Sequence, residues 1–230
     1  MKQGFTLAEV LITLGVIGVI AALTLPSVIN HYQKKATGVQ LKKAYSILTN
    51  ALRMAEVEYS GGTFPLRAEL YSGQHAEDEL KVFETYFVPY LQGAKKYSGK
   101  QYSYKTSSNS YSSGWVKYLC SNHAWCINNG MCFVFMNHGG NYSYILVDLN
   151  SPKKGPNKVG RDVFYFAIHF EPDKTIIDGH IFQVYSNTSL DTIYNKACSK
   201  TGGGWSMGEG CTEIIMRNNW EIPDDDRYPW

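Results

Sequence analysis

The chain has 230 residues, of which 44% are hydrophobic and 18% are charged, and its formal net charge is +2. A charge so close to balance argues against nucleic acid as a general partner. The length fits one hydrophobic N-terminal segment and one globular domain of roughly 170 residues, and the 17 tyrosines and 5 tryptophans favour a β-rich domain.

A long apolar segment lies close to the N-terminus. Residues 5–25 are nearly all apolar, and about 20 such residues cross a bilayer as a helix. Glu9 lies near the start of this segment, although a charge at membrane depth costs about 2.5–3.5 kcal/mol and is normally paired. A signal peptide cleaved near Ala21 or Ala22 is the alternative, but Glu9 and the short basic region argue against it.

The first thirty residues combine several specific features. A short basic leader ends in Gly4, Phe5 opens the motif "FTL", and Glu9 follows four residues later, before a long apolar run. This N-terminus resembles that of type IV prepilins and type II secretion pseudopilins. The resemblance implies cleavage by a prepilin peptidase between Gly4 and Phe5, followed by N-methylation of the Phe5 amine.

The same resemblance implies a location and a set of partners. The expected protein is a single-pass protein of the cytoplasmic (inner) membrane, with an exported C-terminal domain, that enters a filament. Its expected partners are other pilin or pseudopilin subunits, the prepilin peptidase and an inner-membrane assembly platform. Glu9 of an incoming subunit would then pair with the Phe5 amine of a neighbour, because a buried charge needs a partner. Capping of its own helix start by Glu9 is the alternative role.

The helix is expected to continue beyond the membrane segment. Apolar residues recur at three- and four-residue spacing from Leu41 to Tyr59, and Gly61-Gly62 provides a stop. Pro26 lacks the N–H of one helical hydrogen bond and is expected to kink or loosen the helix. We therefore divide the chain into a leader (1–4), a transmembrane or filament-core helix (5–30), its amphipathic continuation (31–60) and an exported globular domain (61–230).

The globular domain has an α+β pattern. A short helix is predicted over 76–91, and alternating apolar residues predict antiparallel strands at 131–137, 142–149, 163–170, 174–178 and 180–186. Helices are predicted over 189–200 and 212–220, with Thr212 as an N-cap, and the C-terminal "YPW" is expected to pack as an anchor. The predicted fold is a long N-terminal helix on an antiparallel sheet of about four or five strands, a plan that pilin-like proteins share.

Five cysteines occur, at 120, 126, 132, 198 and 211. Export would favour disulfides, and the resemblance implies a C-terminal loop closed by Cys198 and Cys211. One further pair is expected among Cys120, Cys126 and Cys132, with zinc binding by these three and His123 as the less favoured alternative.

Two loops carry candidate ligand groups. Asp148, Asn150, Asn157 and Asp162 surround a Pro/Gly loop whose oxygens could hold Ca²⁺, but nearby lysines and Arg161 favour Asx side chains that brace their own turns. No cofactor is therefore expected. The tyrosine-rich loop 97–118 could bind single-stranded DNA, although a solvated loop is the simpler interpretation.

No sequence motif of a known catalytic site occurs, so an enzyme is not expected. The sequence favours a structural subunit of a filament. A pilus-associated adhesin or a DNA-binding minor pilin of a competence system is the alternative.

Overall fold

A computed structural model of the protein describes residues 6–59, 76–98, 103–108, 123–137, 142–170, 175–179, 187–201 and 208–230. The chain divides into two compact units, Met1–Ala36 and Thr37–Trp230. The expected leader, the glycine stop at 61–62 and the strand predicted at 180–186 lie outside the described residues.

The longest element is helix α1, Leu7–Glu58, which has 52 residues and contains Pro26. Its large apolar side chains from Leu7 to Ile29 are exposed within the first unit. In the second unit one face is buried, as the three- and four-residue spacing predicted, and it consists of Gly38, Leu41, Ala44, Leu48, Ala51, Leu52 and Ala55. Small and apolar residues on one helix face allow close packing against the domain core.

Two further elements precede the main strands. Helix α2 spans Ala76–Tyr86, and a 3₁₀ turn spans Val88–Tyr90. The helix predicted over 76–91 is therefore divided near Phe87. Pro89 explains the division, because it has no N–H to donate to Thr85 O and so cannot continue the α-helical hydrogen bonds.

The sheet is an antiparallel meander whose six described strands pair in chain order. The strands are β1 Lys95–Lys96, β2 Trp125–Cys126, β3 Cys132–Asn137, β4 Tyr142–Asp148, β5 Val163–Phe170 and β6 Thr175–Asp178. The observed layout is α+β, and of the six described strands four were expected and two were not. The two-residue strands β1 and β2 were not predicted, because they are too short for an alternating pattern to appear.

Both faces of the sheet are buried. One face packs with α1 and α2 and carries Phe133, Phe135, Ile145, Val147, Phe164, Phe166 and Ile168. The other face carries Val134, Met136, Tyr144, Leu146, Val163, Tyr165 and Ala167, and is covered by Tyr104 and Val159.

The prediction of a solvated loop over 97–118 is wrong at three of its described residues. Tyr104, Thr106 and Ser107 are buried, and the Tyr104 and Tyr165 hydroxyls form a hydrogen bond. A buried Tyr104 cannot stack on a nucleic-acid base, which removes one residue from the DNA-binding interpretation of this loop.

The C-terminal region contains two short helices. Helix α3 spans Leu190–Thr192 and is followed by a π-helical turn over Ile193–Ala197, whereas α4 spans Cys211–Arg217. Ser189 caps α3, because its hydroxyl accepts a hydrogen bond from Thr192 N at 3.2 Å. Thr212 is not the predicted N-cap, since Gly210 has that position and Thr212 is buried inside α4.

A disulfide and a hydrogen bond fix this region. Cys198 is bonded to Cys211, as the resemblance implied. The second disulfide, between Cys126 and Cys132, joins β2 to β3 instead and is the further pair that was expected. The hydroxyl of Tyr228 is buried and donates a hydrogen bond to Gly160 O at 2.8 Å. The prediction that the C-terminus packs as an anchor is therefore confirmed.

Candidate functional site

The exposed part of α1 is the first candidate site. It is long and apolar enough to cross a membrane, and none of its most apolar 18-residue window is buried in the protein. By length and composition such a helix serves either as a transmembrane span or as a signal sequence. A continuous apolar surface of this size needs a cover, which a lipid bilayer or other helices can provide.

Glu9 closes the first turn of this helix. Its Oε2 accepts hydrogen bonds from Thr6 N and from Thr6 Oγ1, both at 2.8 Å. In return Glu9 N donates to Thr6 Oγ1 at 3.3 Å, which completes a reciprocal capping box. The alternative role for Glu9, capping the start of its own helix, is therefore observed. Its pairing with the Phe5 amine stays a prediction, because Gly4 and Phe5 lie outside the described residues.

Sequence reasoning missed Thr6, although the spacing Thr-x-x-Glu is itself a capping-box signal. Pro26 lies inside the continuous helix. Because proline has no N–H, the carbonyl of Ala22, four residues earlier, lacks its usual helical donor. The expected kink or local loosening at this point stays a prediction.

The loop between β4 and β5 is the second candidate site. The four predicted residues come together there, since Asp162 Oδ2 accepts from Asn157 N at 2.8 Å and from Asn150 Nδ2 at 3.4 Å. Asp162 Oδ1 accepts from Lys158 N at 2.7 Å, and Asp148 Oδ1 accepts from Asn150 N at 3.0 Å. Both carboxylates therefore brace backbone turns, as the Asx interpretation predicted.

Burial sets the electrostatics of this loop. Asp148 is fully buried, and burial raises the pKa of its carboxyl to about 7. Burial also raises the pKa of Asp162, although its hydrogen bonds oppose that effect. Lys158 has its pKa lowered by burial first and then by Arg161, Lys200 and Lys105. The four basic side chains lie close together, whereas Asp148 and Asp162 are buried beneath the loop. The loop is therefore acidic on its buried side and basic on its outer side.

The zinc alternative is contradicted by the covalent structure. Cys126 and Cys132 form a disulfide, whereas zinc is bound by free thiolates. In the described residues no group of three or more His, Cys, Asp or Glu side chains could hold a metal ion. His169 Nε2 and Asp178 Oδ1 lie 3.1 Å apart, but a single pair does not make a metal site.

Comparison with known proteins assigns the chain to a protein family. A family model matches residues 27–230. The chain belongs to DUF6613, a family of unknown function. The DUF6613 match covers the whole Thr37–Trp230 unit, including both disulfides, and leaves residues 1–26 outside it. Neither curated proteins nor solved structures give a match to the chain.

Proposed function

We propose that this DUF6613 protein is a structural subunit, a minor pilin or pseudopilin, of a type IV pilus or a type II secretion filament. The observation that carries the proposal is the exposed apolar part of α1, whose apolar run from Val10 follows the sequence "KQGFTLAE" at residues 2–9. Residues 41–55 of the same helix are buried in the core of the second unit. One helix thus provides an apolar surface for assembly and a firm attachment to a folded domain.

The proposed assembly step is electrostatic. Peptidase cleavage after Gly4 would leave a methylated, positively charged amine on Phe5, which lies at the same membrane depth as Glu9. In a low-dielectric filament core these opposite charges attract strongly, and their pairing between neighbouring subunits would set the axial register. In the free subunit Glu9 is held by Thr6, so pairing would exchange a local hydrogen bond for an intersubunit one.

Processing provides the first test. In a host that contains the peptidase, the mature chain is expected to begin at N-methyl-Phe5, because the leader ends at Gly4. Intact-mass and N-terminal peptide analysis measure this directly. A mature start near Leu23 would instead show cleavage by signal peptidase and would refute the filament proposal.

Assembly provides the second test. Glu9→Ala and Glu9→Gln both remove the carboxylate charge, so incorporation into filaments is expected to fall strongly. Breaking one side of a buried pair typically costs about 3–5 kcal/mol. Membrane insertion and cleavage should persist, because the peptidase recognises the leader and the apolar helix remains. The measurement is the amount of sheared filament subunit, or of filament-dependent secretion, relative to the mature membrane pool.

Thr6→Ala is the matched control. It removes the hydroxyl that donates to Glu9 and accepts from Glu9 N, keeps the backbone N–H of residue 6 as a donor, and leaves the carboxylate charge, so the pairing model predicts near-normal incorporation. If Thr6→Ala and Glu9→Ala fail to the same extent, Glu9 acts only as a cap. Wild-type incorporation of both Glu9 variants would refute the pairing model.

A further inference from the structure

Basic residues from two separate segments meet beside the end of the β4–β5 loop. Lys105 and Lys158 form a parallel bridge. Lys105 N donates to Asn157 O at 2.7 Å, and Val159 N donates to Lys105 O at 2.9 Å. Arg161 follows within the same turn, since its N–H donates to Lys158 O at 3.1 Å. The backbone therefore fixes three basic residues side by side.

The Cys198–Cys211 disulfide brings a fourth cation to the same place. A Cβ atom at Gly160 would lie 3.0 Å from Cys211 Sγ, so the disulfide packs against the turn that begins at Lys158. Lys200 follows Cys198 by two residues. Burial lowers the pKa of Lys158, and the neighbouring cations, Lys200 among them, lower it further. We call Lys105, Lys158, Arg161 and Lys200 the basic cluster.

The basic cluster lacks a carboxylate partner within the part of the chain that the structure describes. None of its four side chains forms an ion pair there. Both oxygens of the nearby Asp162 accept backbone N–H groups, and both oxygens of Asp225 accept from Arg227. The like charges repel one another, most strongly at the half-buried Lys158. Crowded cations without a counterion are typical of a site that receives an anion.

Arg161 is oriented in a way that keeps its hydrogen-bond donors available. Its guanidinium carbon lies 5.4 Å from the centre of the Trp230 ring. This cation–π contact holds the guanidinium group without using its N–H donors. The N–H fork of an arginine matches two oxygens of a phosphate, and each lysine ammonium adds a positive charge with three donors. The cluster therefore has both the charge and the donors to hold an oxyanion.

A bound oxyanion would provide the missing counter-charge. We propose that the basic cluster binds a phosphate group through the guanidinium of Arg161 and the ammonium groups of its three lysines. A phosphate monoester carries a charge of about −1.5 to −2 at neutral pH, and its oxygens point in several directions, so donors from separate segments can reach it together. A carboxylate offers one charge in one plane. The site requires only the Thr37–Trp230 unit and does not depend on the filament proposal.

The test uses the full chain in micelles of an uncharged detergent at low ionic strength. Calorimetry with inorganic phosphate should give a dissociation constant of about 0.1–1 mM, because the cluster is partly exposed and screened. Phosphate at ten times that constant should raise Tm by about 3–6 °C. Sodium chloride at the same ionic strength should raise Tm less, because it only screens the charges. Absence of phosphate binding up to about 20 mM, well above the expected constant, or an equal effect of sodium chloride would overturn the proposal.

Two variants separate anion binding from folding. Lys158→Gln removes the most crowded charge and keeps the backbone N–H that Asp162 accepts. Without phosphate it should be at least as stable as wild type, because the repulsion is relieved, and it should bind phosphate about tenfold more weakly. Lys105→Gln changes an exposed side chain of the same cluster and should also weaken binding. Lys42→Gln is the control, since Lys42 is an exposed lysine on α1, and it should bind phosphate normally. Unchanged affinity in both cluster variants would overturn the proposal.

Two soluble compounds identify the source of the phosphate group. Glycerol 3-phosphate is a monoester, whereas glycerophosphoglycerol is a phosphodiester with the headgroup structure of an anionic lipid. Binding of inorganic phosphate and the monoester alone would support a site for a small dianion. Equal or tighter binding of the diester would support recognition of a lipid headgroup. Failure of all three compounds to bind would overturn the proposal.

Discussion

Gly38→Ala tests how closely α1 packs against the C-terminal segment of the Thr37–Trp230 unit. A Cβ atom at Gly38 would lie 2.1 Å from Trp220 O and 3.2 Å from the Trp220 carbonyl carbon. Carbon and oxygen atoms that are not bonded normally stay more than 3 Å apart, so the two backbones would have to separate by about 1 Å. The absence of a side chain at Gly38 therefore permits this close approach.

The backbone of Trp220 cannot move away from α1 freely. Its backbone has a positive φ of 67°, its N–H donates to Ile215 O at 2.8 Å, and its ring lies 5.1 Å from that of Tyr45. Inserting a methyl group into such a contact typically costs about 1–3 kcal/mol. Because the methyl group would meet backbone atoms of Trp220, the upper part of that range, about 2–3 kcal/mol, applies. Alanine regains up to about 1 kcal/mol of helix propensity. The net loss should therefore be about 1–2 kcal/mol, or about 2–8 °C in Tm for a unit of this size.

Thermal unfolding of the full chain in detergent, followed by near-UV circular dichroism, measures this loss. Gly18→Ala is the matched control, because no heavy atom lies within 4 Å of a Cβ at Gly18, and it should leave Tm unchanged or slightly raised. If Gly38→Ala is as stable as Gly18→Ala, the helix does not approach Trp220 closely and the reasoning is refuted.

Three further predictions concern the domain. Replacing Cys198 and Cys211 by Ser should lower the free energy of unfolding, measured with denaturant, by about 3 kcal/mol. Replacing Cys126 and Cys132 should lower it by about 2 kcal/mol, because that disulfide closes a shorter loop. Equal stability of the wild type and both double variants would contradict the loop-closure argument. A chain that begins at Tyr32 should be a monomer without detergent in light-scattering chromatography, and persistent detergent dependence would show that the apolar surface extends further. Burial raises the pKa of Glu209 from 4.5 to about 7, so the folded state holds this proton more tightly than the unfolded state does. The stabilisation is complete below about pH 4.5 and is lost as pH rises through 7. Glu209→Gln should therefore reduce the fall in Tm between pH 4.5 and 7. If Tm falls with pH in the variant as it does in the wild type, Glu209 is not the cause of that fall.

The sequence predicted the parts of the fold that have a repeating pattern. The helical spacing of Leu41, Ala44, Leu48 and Leu52 gave the buried face of α1 correctly. The alternation of Phe164, Phe166 and Ile168 gave one face of β5. The second buried face was missed, although Val163, Tyr165 and Ala167 complete a continuous apolar run, which is typical of a strand buried on both sides.

Other features had no local signal. Tyr104 lies among serines and lysines, and only its tertiary contact with Tyr165 explains its burial. Thr212 is a residue type that often caps helices, but in α4 the N-cap is Gly210, and the helix begins at Cys211, one residue before the predicted start. At the loop site the side chains could be predicted from the sequence. The complete burial of Asp148 could not, because only the fold places other residues over this carboxylate.

The short first strand has a consequence for how copies of the protein can meet. In the described part of the sheet β1 forms one border, and it consists of two exposed lysines, Lys95 and Lys96. A border so short and so charged is a poor template for an added strand from another molecule. Crowding on a membrane or along a filament would therefore not fuse neighbouring domains into a continuous sheet through this border. Any association between neighbouring domains must therefore use surfaces other than this border.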